Sequence, residues 1–226
     1  MLKLTDIAKS YRTTEVETRA LDGVSLEIGG GEFVAIMGPS GCGKSTLLNI
    51  LGLLDQPTSG RYQFFGEEVA GYPENRLTRL RRDRIGFVFQ SFNLIDDLSI
   101  AENVGVALIY RGVSAGERKR RVQAALEKVG IAHRARHKPQ QLSGGQQQRA
   151  AVARALVSAP KLILADEPTG NLDTANGEAV MALLKEAAAE GVTVIMVTHS
   201  LVHAAEAQRT IKLLDGRVAS ETQLAA

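Results

Sequence analysis

The alternation of hydrophobic and polar positions divides the chain into short strands and longer helices. Val24, Leu26 and Ile28 alternate with Ser25 and Glu27, which predicts a half-buried strand over residues 20–28. Residues 2–11 predict a strand before it, with a polar loop over residues 12–19 between the two. Phe33–Met37, Ile85–Phe89, residues 162–165 and residues 192–197 are apolar runs of strand length. A short strand is expected at 61–65, after the turn-rich connection 55–60. Residues 210–214 and 217–220 flank the turn Asp215-Gly216 as a hairpin, and residues 221–226 are read as a frayed tail.

Helices fill the intervals. One follows a glycine-rich turn at residues 47–51, and Pro73 suits the first turn of another over 73–83. Ser99-Ile100-Ala101-Glu102 and Ser114-Ala115-Gly116-Glu117 both have capping-box spacing. They start helices reaching Tyr110 and Val129, the second closed by Gly130. A further helix opens at Leu142-Ser143-Gly144-Gly145-Gln146, and residues 175–190 form an alanine- and leucine-rich helix ended by Gly191. Strands alternating with helices predict an α/β fold. The helical stretch 91–158 falls between strands of that core, so it is expected to be an inserted lobe, with 1–90 and 159–226 forming the core. The 226 residues suffice for one large domain of this kind.

Composition narrows the partners. A formal charge of +2 gives no argument for nucleic acid. The most basic run, Arg76, Arg79, Arg81, Arg82 and Arg84, shares its helix with Leu77 and Leu80 and is read as a solvated face, as is the run 118–121. Cys42 is the only cysteine, so no disulfide forms within the chain and a reducing compartment is expected. His133 and His137 have basic neighbours and no nearby carboxylates, so they are not read as metal ligands. Lys3, Asp6 and Lys9 exclude a signal peptide at the first residues, and no window reaches the roughly 20 apolar residues of a membrane span. Work at a membrane then needs another element to bring the chain there.

The chemistry centres on Gly38-Pro39-Ser40-Gly41-Cys42-Gly43-Lys44-Ser45-Thr46. Strand, glycine-rich turn and helix are the context that makes this a phosphate loop. Glycines let backbone N–H groups turn toward phosphate oxygens, and the helix directs its positive end at the same anion. Lys44 is placed for β- and γ-phosphates and Ser45 for Mg²⁺. Gln90, at the end of an apolar strand, is a candidate for Mg²⁺ or the attacking water. Asp166 and Glu167 close another: one carboxylate to support Mg²⁺, the other to take a proton from water. Adjacent residues on a straight strand face opposite ways, so the chain must turn at Glu167, which Pro168 favours. His199 follows a strand at the same sheet edge. Ser143, Gly144 and Gly145 make a second anion-receptive helix start, which suggests that two chains share each nucleotide. Tyr11 is either a purine-stacking aromatic or a strand-edge tyrosine. Phe92, Leu94, Ile95 and Leu98, around Asp96 and Asp97, are expected to line a groove for a helix of a membrane partner, the alternative being burial in the lobe.

In this order and spacing, the phosphate loop, Gln90, Leu142 to Gln146, Asp166-Glu167, Asn171-Leu172-Asp173 and His199 resemble the nucleotide-binding subunit of ABC transporters. The resemblance covers essentially the whole chain. It implies a P-loop NTPase (RecA-like) α/β core with an N-terminal antiparallel β subdomain and an inserted α-helical subdomain. It also implies ATP and Mg²⁺. On matching positions, Tyr11 stacks adenine, residues Gly38 to Thr46 hold phosphates and metal, and Gln90 senses the γ-phosphate side. Asp166 supports Mg²⁺, Glu167 is the general base and His199 the γ-phosphate switch. Ser143, Gly144, Gly145 and Gln146 complete the opposite site of a head-to-tail homodimer, with Asp173 at its interface. Gly86-Phe87-Val88-Phe89-Gln90 and Leu142 to Arg149 resemble a subgroup serving lipoprotein release and macrolide or peptide export. That subgroup implies an integral membrane permease as partner, no nucleic acid, and a peripheral position on the cytoplasmic face of the inner membrane. Division-associated relatives supply an alternative, ATP-dependent regulation of a membrane partner without transport. Cys42 departs from the usual serine or alanine.

Overall fold

The computed structural model describes residues 1–12 and 17–223. β1 (Leu2–Arg12) and β2 (Glu17–Ile28) pair antiparallel, Leu2 opposite Ile28 and Arg12 opposite Glu17. The expected loop is therefore shorter: Arg12 and Glu17 to Arg19 continue the ladder, and residues 13–16 lie outside the described residues. β4 (Ser59–Phe64) joins the free edge of β1 and β5 (Glu67–Glu68) joins β4, giving the order β2-β1-β4-β5. Val24, Leu26 and Ile28 are buried and Ser25 and Glu27 exposed, as the alternation requires.

The second sheet has the order β10-β9-β3-β8-β7-β6. β3 (Phe33–Met37), β6 (Ile85–Phe89), β7 (Leu162–Asp166), β8 (Thr193–Val197) and β9 (Arg209–Leu214) run parallel. β10 (Arg217–Gln223) closes the edge antiparallel. The expected tail thus begins later, since 221–223 pair with β9 and only 224–226 lie outside the described residues. The unbroken apolar runs follow from burial on both faces. Val34 and Ile36 enter a core shared with the antiparallel sheet and α1 (Lys44–Leu51), while Phe33 and Ala35 enter the core of the helices.

Between β6 and β7 come α3 (Ile100–Tyr110), α4 (Ala115–Lys128) and α5 (Gly144–Leu156), with short 3-10 turns at Ala132–Arg134 and Pro139–Gln141. The Ser99 box forms: Ser99 Oγ accepts the Glu102 N–H at 3.3 Å and Glu102 accepts the Ser99 N–H at 2.8 Å. The Ser114 box does not, because Arg120 and Arg121 engage the Glu117 carboxylate from within α4. On α2 (Glu74–Arg84), Arg76, Arg79 and Arg82 are exposed as a solvated face requires, whereas Arg81 and Arg84 are partly buried and pair with Glu74 and Glu67. α6 (Thr174–Ala189) and the single-turn α7 (Leu201–Ala204) complete the chain. Of the four apolar residues expected around Asp96 and Asp97, only Ile95 is exposed; Leu94 packs against the helical core. Among the described residues, no helix is long and apolar enough to cross a membrane.

Candidate active site

The loop between β3 and α1 is closed by glycines that no other residue replaces. Gly41 and Gly43 have φ of 78° and 99°, and a Cβ on Gly43 would strike the Ala20 carbonyl. A Cβ on Gly38 would strike the Leu213 carbonyl and the Cys42 thiol. Gly43 caps α1 without a side chain, so the first-turn N–H groups remain available to an anion. Lys44 is buried, its Nζ donating to the Gly38 and Pro39 carbonyls at 2.8 Å each. Cys42 Sγ is also buried, 3.9 Å from that ammonium. Ser45 is exposed on the first turn. A cavity of about 370 Å³ opens beside the loop between Gly38, Pro39, His199 and Lys212.

Asp166 ends β7, and the required turn occurs at Glu167, whose φ is 46°. Its N–H donates to the Val197 carbonyl at 3.0 Å, fixing the bend against β8. Glu167 Oε1 is a buried acceptor with no hydrogen bond, lying 3.3 Å from His199 Nε2 without hydrogen-bond alignment. Glu167 Oε2 accepts the His199 N–H at 3.4 Å. Burial pushes the Asp166 carboxyl above its ordinary pKa, and the charges of Lys44 and His199 oppose that rise. Lys44, Asp166, Glu167 and His199 therefore form one electrostatic cluster.

Gln90 is held by the segment that follows Glu167. Its Nε2 donates to Asn171 Oδ1 at 3.2 Å, and Asn171 Nδ2 donates to the Gln90 carbonyl at 3.1 Å. A Cβ on Gly170 would come within 2.8 Å of Gln90 Nε2. Ser143 caps α5 in a capping box with Gln146. Gly145 lies so close to Asn176 that any Cβ would overlap the amide, and Asp173 accepts from both Asn176 N (2.8 Å) and Nδ2 (2.9 Å). Ser143 hydrogen-bonds only within its own cap among the described residues. Tyr11 is half exposed, with its hydroxyl donating to Asp55 at 2.9 Å and Lys9 Nζ 5.0 Å from the ring centre.

Two contributors had no role assigned from the sequence, although Gln148 lies within the Leu142 to Arg149 motif. Gln148 is fully buried, and its Nε2 donates to the carbonyls of Phe89 (3.2 Å) and Pro168 (2.6 Å). It shares a helical face with Gly145 and Val152, so a polar side chain on a buried face was the available signal. His203 shares a 2.9 Å hydrogen bond with Thr169, tying α7 to the segment after Glu167. No pattern signalled this contact.

Oxygen donors at Ser45 and Asp166 fit a hard cation. Among the described residues no three acidic, histidine or cysteine side chains cluster to hold a metal alone. Such a site suits Mg²⁺ bound mainly through substrate phosphates.

The family model for the ABC transporter matches residues 21–170. The macrolide export ATP-binding/permease protein MacB of Azoarcus sp. (strain BH72) is 51% identical over 221 residues, covering 98% of this chain and 34% of that protein. An uncharacterized ABC transporter ATP-binding protein of Thermotoga maritima is 51% identical over 218 residues, 96% of this chain and 93% of its own. This chain thus spans about a third of the length of the MacB relative. The dimeric post-hydrolysis state of the ATP-binding cassette MJ0796 bound to ADP and Pi superposes with a TM-score of 0.93 at 47% identity, over all of both chains. The two share a P-loop NTPase fold with an antiparallel β subdomain and a helical insertion. The chain belongs to the ABC transporter family, as one of its ATP-binding cassettes.

Proposed function

We propose that the chain hydrolyses ATP between two copies of itself and so drives a membrane permease in export or in lipoprotein or lipid release. The observation that carries the chemistry is the buried, unbonded Glu167 oxygen beside His199, in one cluster with Lys44 and Asp166. Lys44 and the backbone N–H groups of residues 40–46 hold the phosphates. Ser45, Asp166 and Gln90 would hold Mg²⁺, which when bound neutralises charge on the phosphate oxygens. Glu167 takes the proton of the attacking water, and His199 orients that carboxylate and faces the γ-phosphate. Tyr11 offers its half-exposed ring to adenine.

Ser143, Gly144, Gly145 and Gln146 complete the site of a second copy, with Asp173 at the interface. The dimeric MJ0796 cassettes support this pairing. Residues 91–158 act as the lobe that carries this signature. The names of MacB and of the pyoverdine export protein PvdT of Pseudomonas fluorescens favour export over regulation without transport. Coupling to a permease places the chain on the cytoplasmic face of the inner membrane. The docking surface is an apolar groove of about 570 Å³ between α2, β6, α3 and α5, lined by Leu54, Phe87, Phe89, Ala107 and Tyr110. This differs from the surface expected at residues 92–98, of which only Asn93 lines the groove.

Glu167→Gln keeps shape and loses the base, so turnover should fall by ~10²-fold or more while ATP still binds. Steady-state hydrolysis with parallel nucleotide binding measures both. Parental turnover would move the base elsewhere, with His199 the next candidate.

A further inference from the structure

The groove's side chains include three arginines, Arg81, Arg82 and Arg154, and no carboxylate. Two of the three are answered from outside it. Arg81 pairs with Glu74, and Arg82 Nε lies 2.8 Å from Asp83 Oδ1. Arg154 meets no carboxylate among the described residues. Its guanidinium donates to the backbone carbonyls of Phe92 (2.8 Å) and Asn93. Burial holds its pKa below the ordinary arginine value, the direction expected of a desolvated cation lacking a counter-ion.

The two carbonyls it holds belong to residues in the left-handed region. Phe92 and Asn93 are left-handed, with φ of 60° and 51°, a conformation uncommon for Phe and more readily adopted by Asn, and their N–H groups donate within the same turn to the Phe89 and Ser91 carbonyls. Gln90 lies just upstream, its amide on Asn171. Arg154 itself stands on α5, the helix that Ser143 caps. One guanidinium thus touches the groove and the left-handed segment leading from Gln90, and belongs to the signature helix.

We propose that the segment docking in this groove is an apolar helix bearing one carboxylate, which pairs with Arg154 and draws it from the carbonyls of Phe92 and Asn93. The inference rests on the reading of the groove as the permease docking site. A carboxylate matches the planar guanidinium fork and forms charge-assisted bonds stronger than those to neutral carbonyls. Released, residues 92–93 relax from the left-handed region, and Gln90 shifts against Asn171. Docking is then felt at the nucleotide site. A lysine at the same place on the partner is repelled.

Calorimetric titration of the full chain tests this with designed helical peptides. Each carries leucine and phenylalanine at i, i+3 and i+4 and a single Glu, Gln or Lys at the site facing Arg154. The Glu peptide should bind roughly tenfold or more tightly than the Gln peptide, and the Lys peptide least. Arg154→Met should abolish the Glu preference, and Arg154→Lys should keep part of it. The chain contains no tryptophan, so Phe92→Trp provides a single reporter whose emission should shift with the Glu peptide alone. Equal affinities for Glu and Gln peptides in the parental chain would overturn the pairing and leave the groove reading standing. If no peptide binds, or all bind a Phe89→Asp chain as they bind the parent, the groove reading falls and the pairing with it. Should Arg154→Met fail to fold, the parental comparison still decides.

Discussion

Asp166, proposed to support Mg²⁺, works against stability when no cation is bound. Burial raises its pKa, and Lys44 and His199 offset only part of that. A carboxyl with a raised folded-state pKa binds its proton more tightly folded than unfolded. Stability therefore falls as pH rises from the unfolded carboxyl value through the raised folded one, and stays lower above it. Asp166→Asn removes that loss, so its thermal midpoint should exceed the parent's at neutral pH without nucleotide and converge with it in acid. With Mg²⁺ and ATP added the order should reverse, since only the parental carboxylate gains a cation. Midpoints across a pH series, with and without Mg·ATP, measure both; a less stable Asn chain at neutral pH without ligand would refute the account. The Asp-Glu pair was legible because period-2 geometry demands a turn for both acids to serve one site, and the positive φ of Glu167 is that turn. The 3.3 Å approach of His199 was not, since it depends on how β7 and β8 align.

Elements were readable where burial imposed a period. β3, β6, β7 and β8 are continuous apolar runs because both faces of the sheet are covered. β5, of two residues, and α7, of four, are too short to display any period. The two serine boxes show the limit of local spacing. Identical Ser-x-x-Glu patterns diverge because α4 offers Glu117 two arginines one turn away, whereas Glu102 bonds both the N–H and the hydroxyl of Ser99. Contacts between elements were least readable, and Gln148 is the clearest case. It ties α5 to the end of β6 at Phe89 and to the turn after β7 at Pro168. Gln148→Leu leaves the Pro168 carbonyl without its donor, a cost of about 1–3 kcal/mol where buried, while the Phe89 carbonyl keeps the Phe92 N–H at 3.2 Å. If Gln148 sets the placement of Gln90 and Glu167, kcat should fall several-fold with KM nearly unchanged at temperatures where the variant is fully folded. A lowered thermal midpoint with parental kcat would reduce it to a packing residue.

At the scale of the whole molecule, the proposed shared site divides one chain into two half-sites: the phosphate loop with Asp166, Glu167 and His199, and the helix start at Ser143. Within the chain the second is joined to Asp173 through Gly145 and Asn176, while no hydrogen bond or ion pair among the described residues links Ser143 to Lys44. A head-to-tail pair makes each half useful to the other copy, and mixing damaged chains tests it. Lys44→Ala removes the phosphate lysine, and Ser143→Arg obstructs the opposing face. In either homodimer both sites are damaged, so each alone should be nearly inactive. A mixed dimer holds one doubly damaged site and one with both faces intact. Random pairing of equal amounts makes half of the dimers mixed, so independent sites should restore about a quarter of parental ATPase activity. Strictly coupled sites would restore none, yet each mixed dimer would still retain one nucleotide in a filter-binding assay. Strong hydrolysis by the Ser143→Arg homodimer would show that the serine-capped helix does not face a phosphate, and would end the shared-site account.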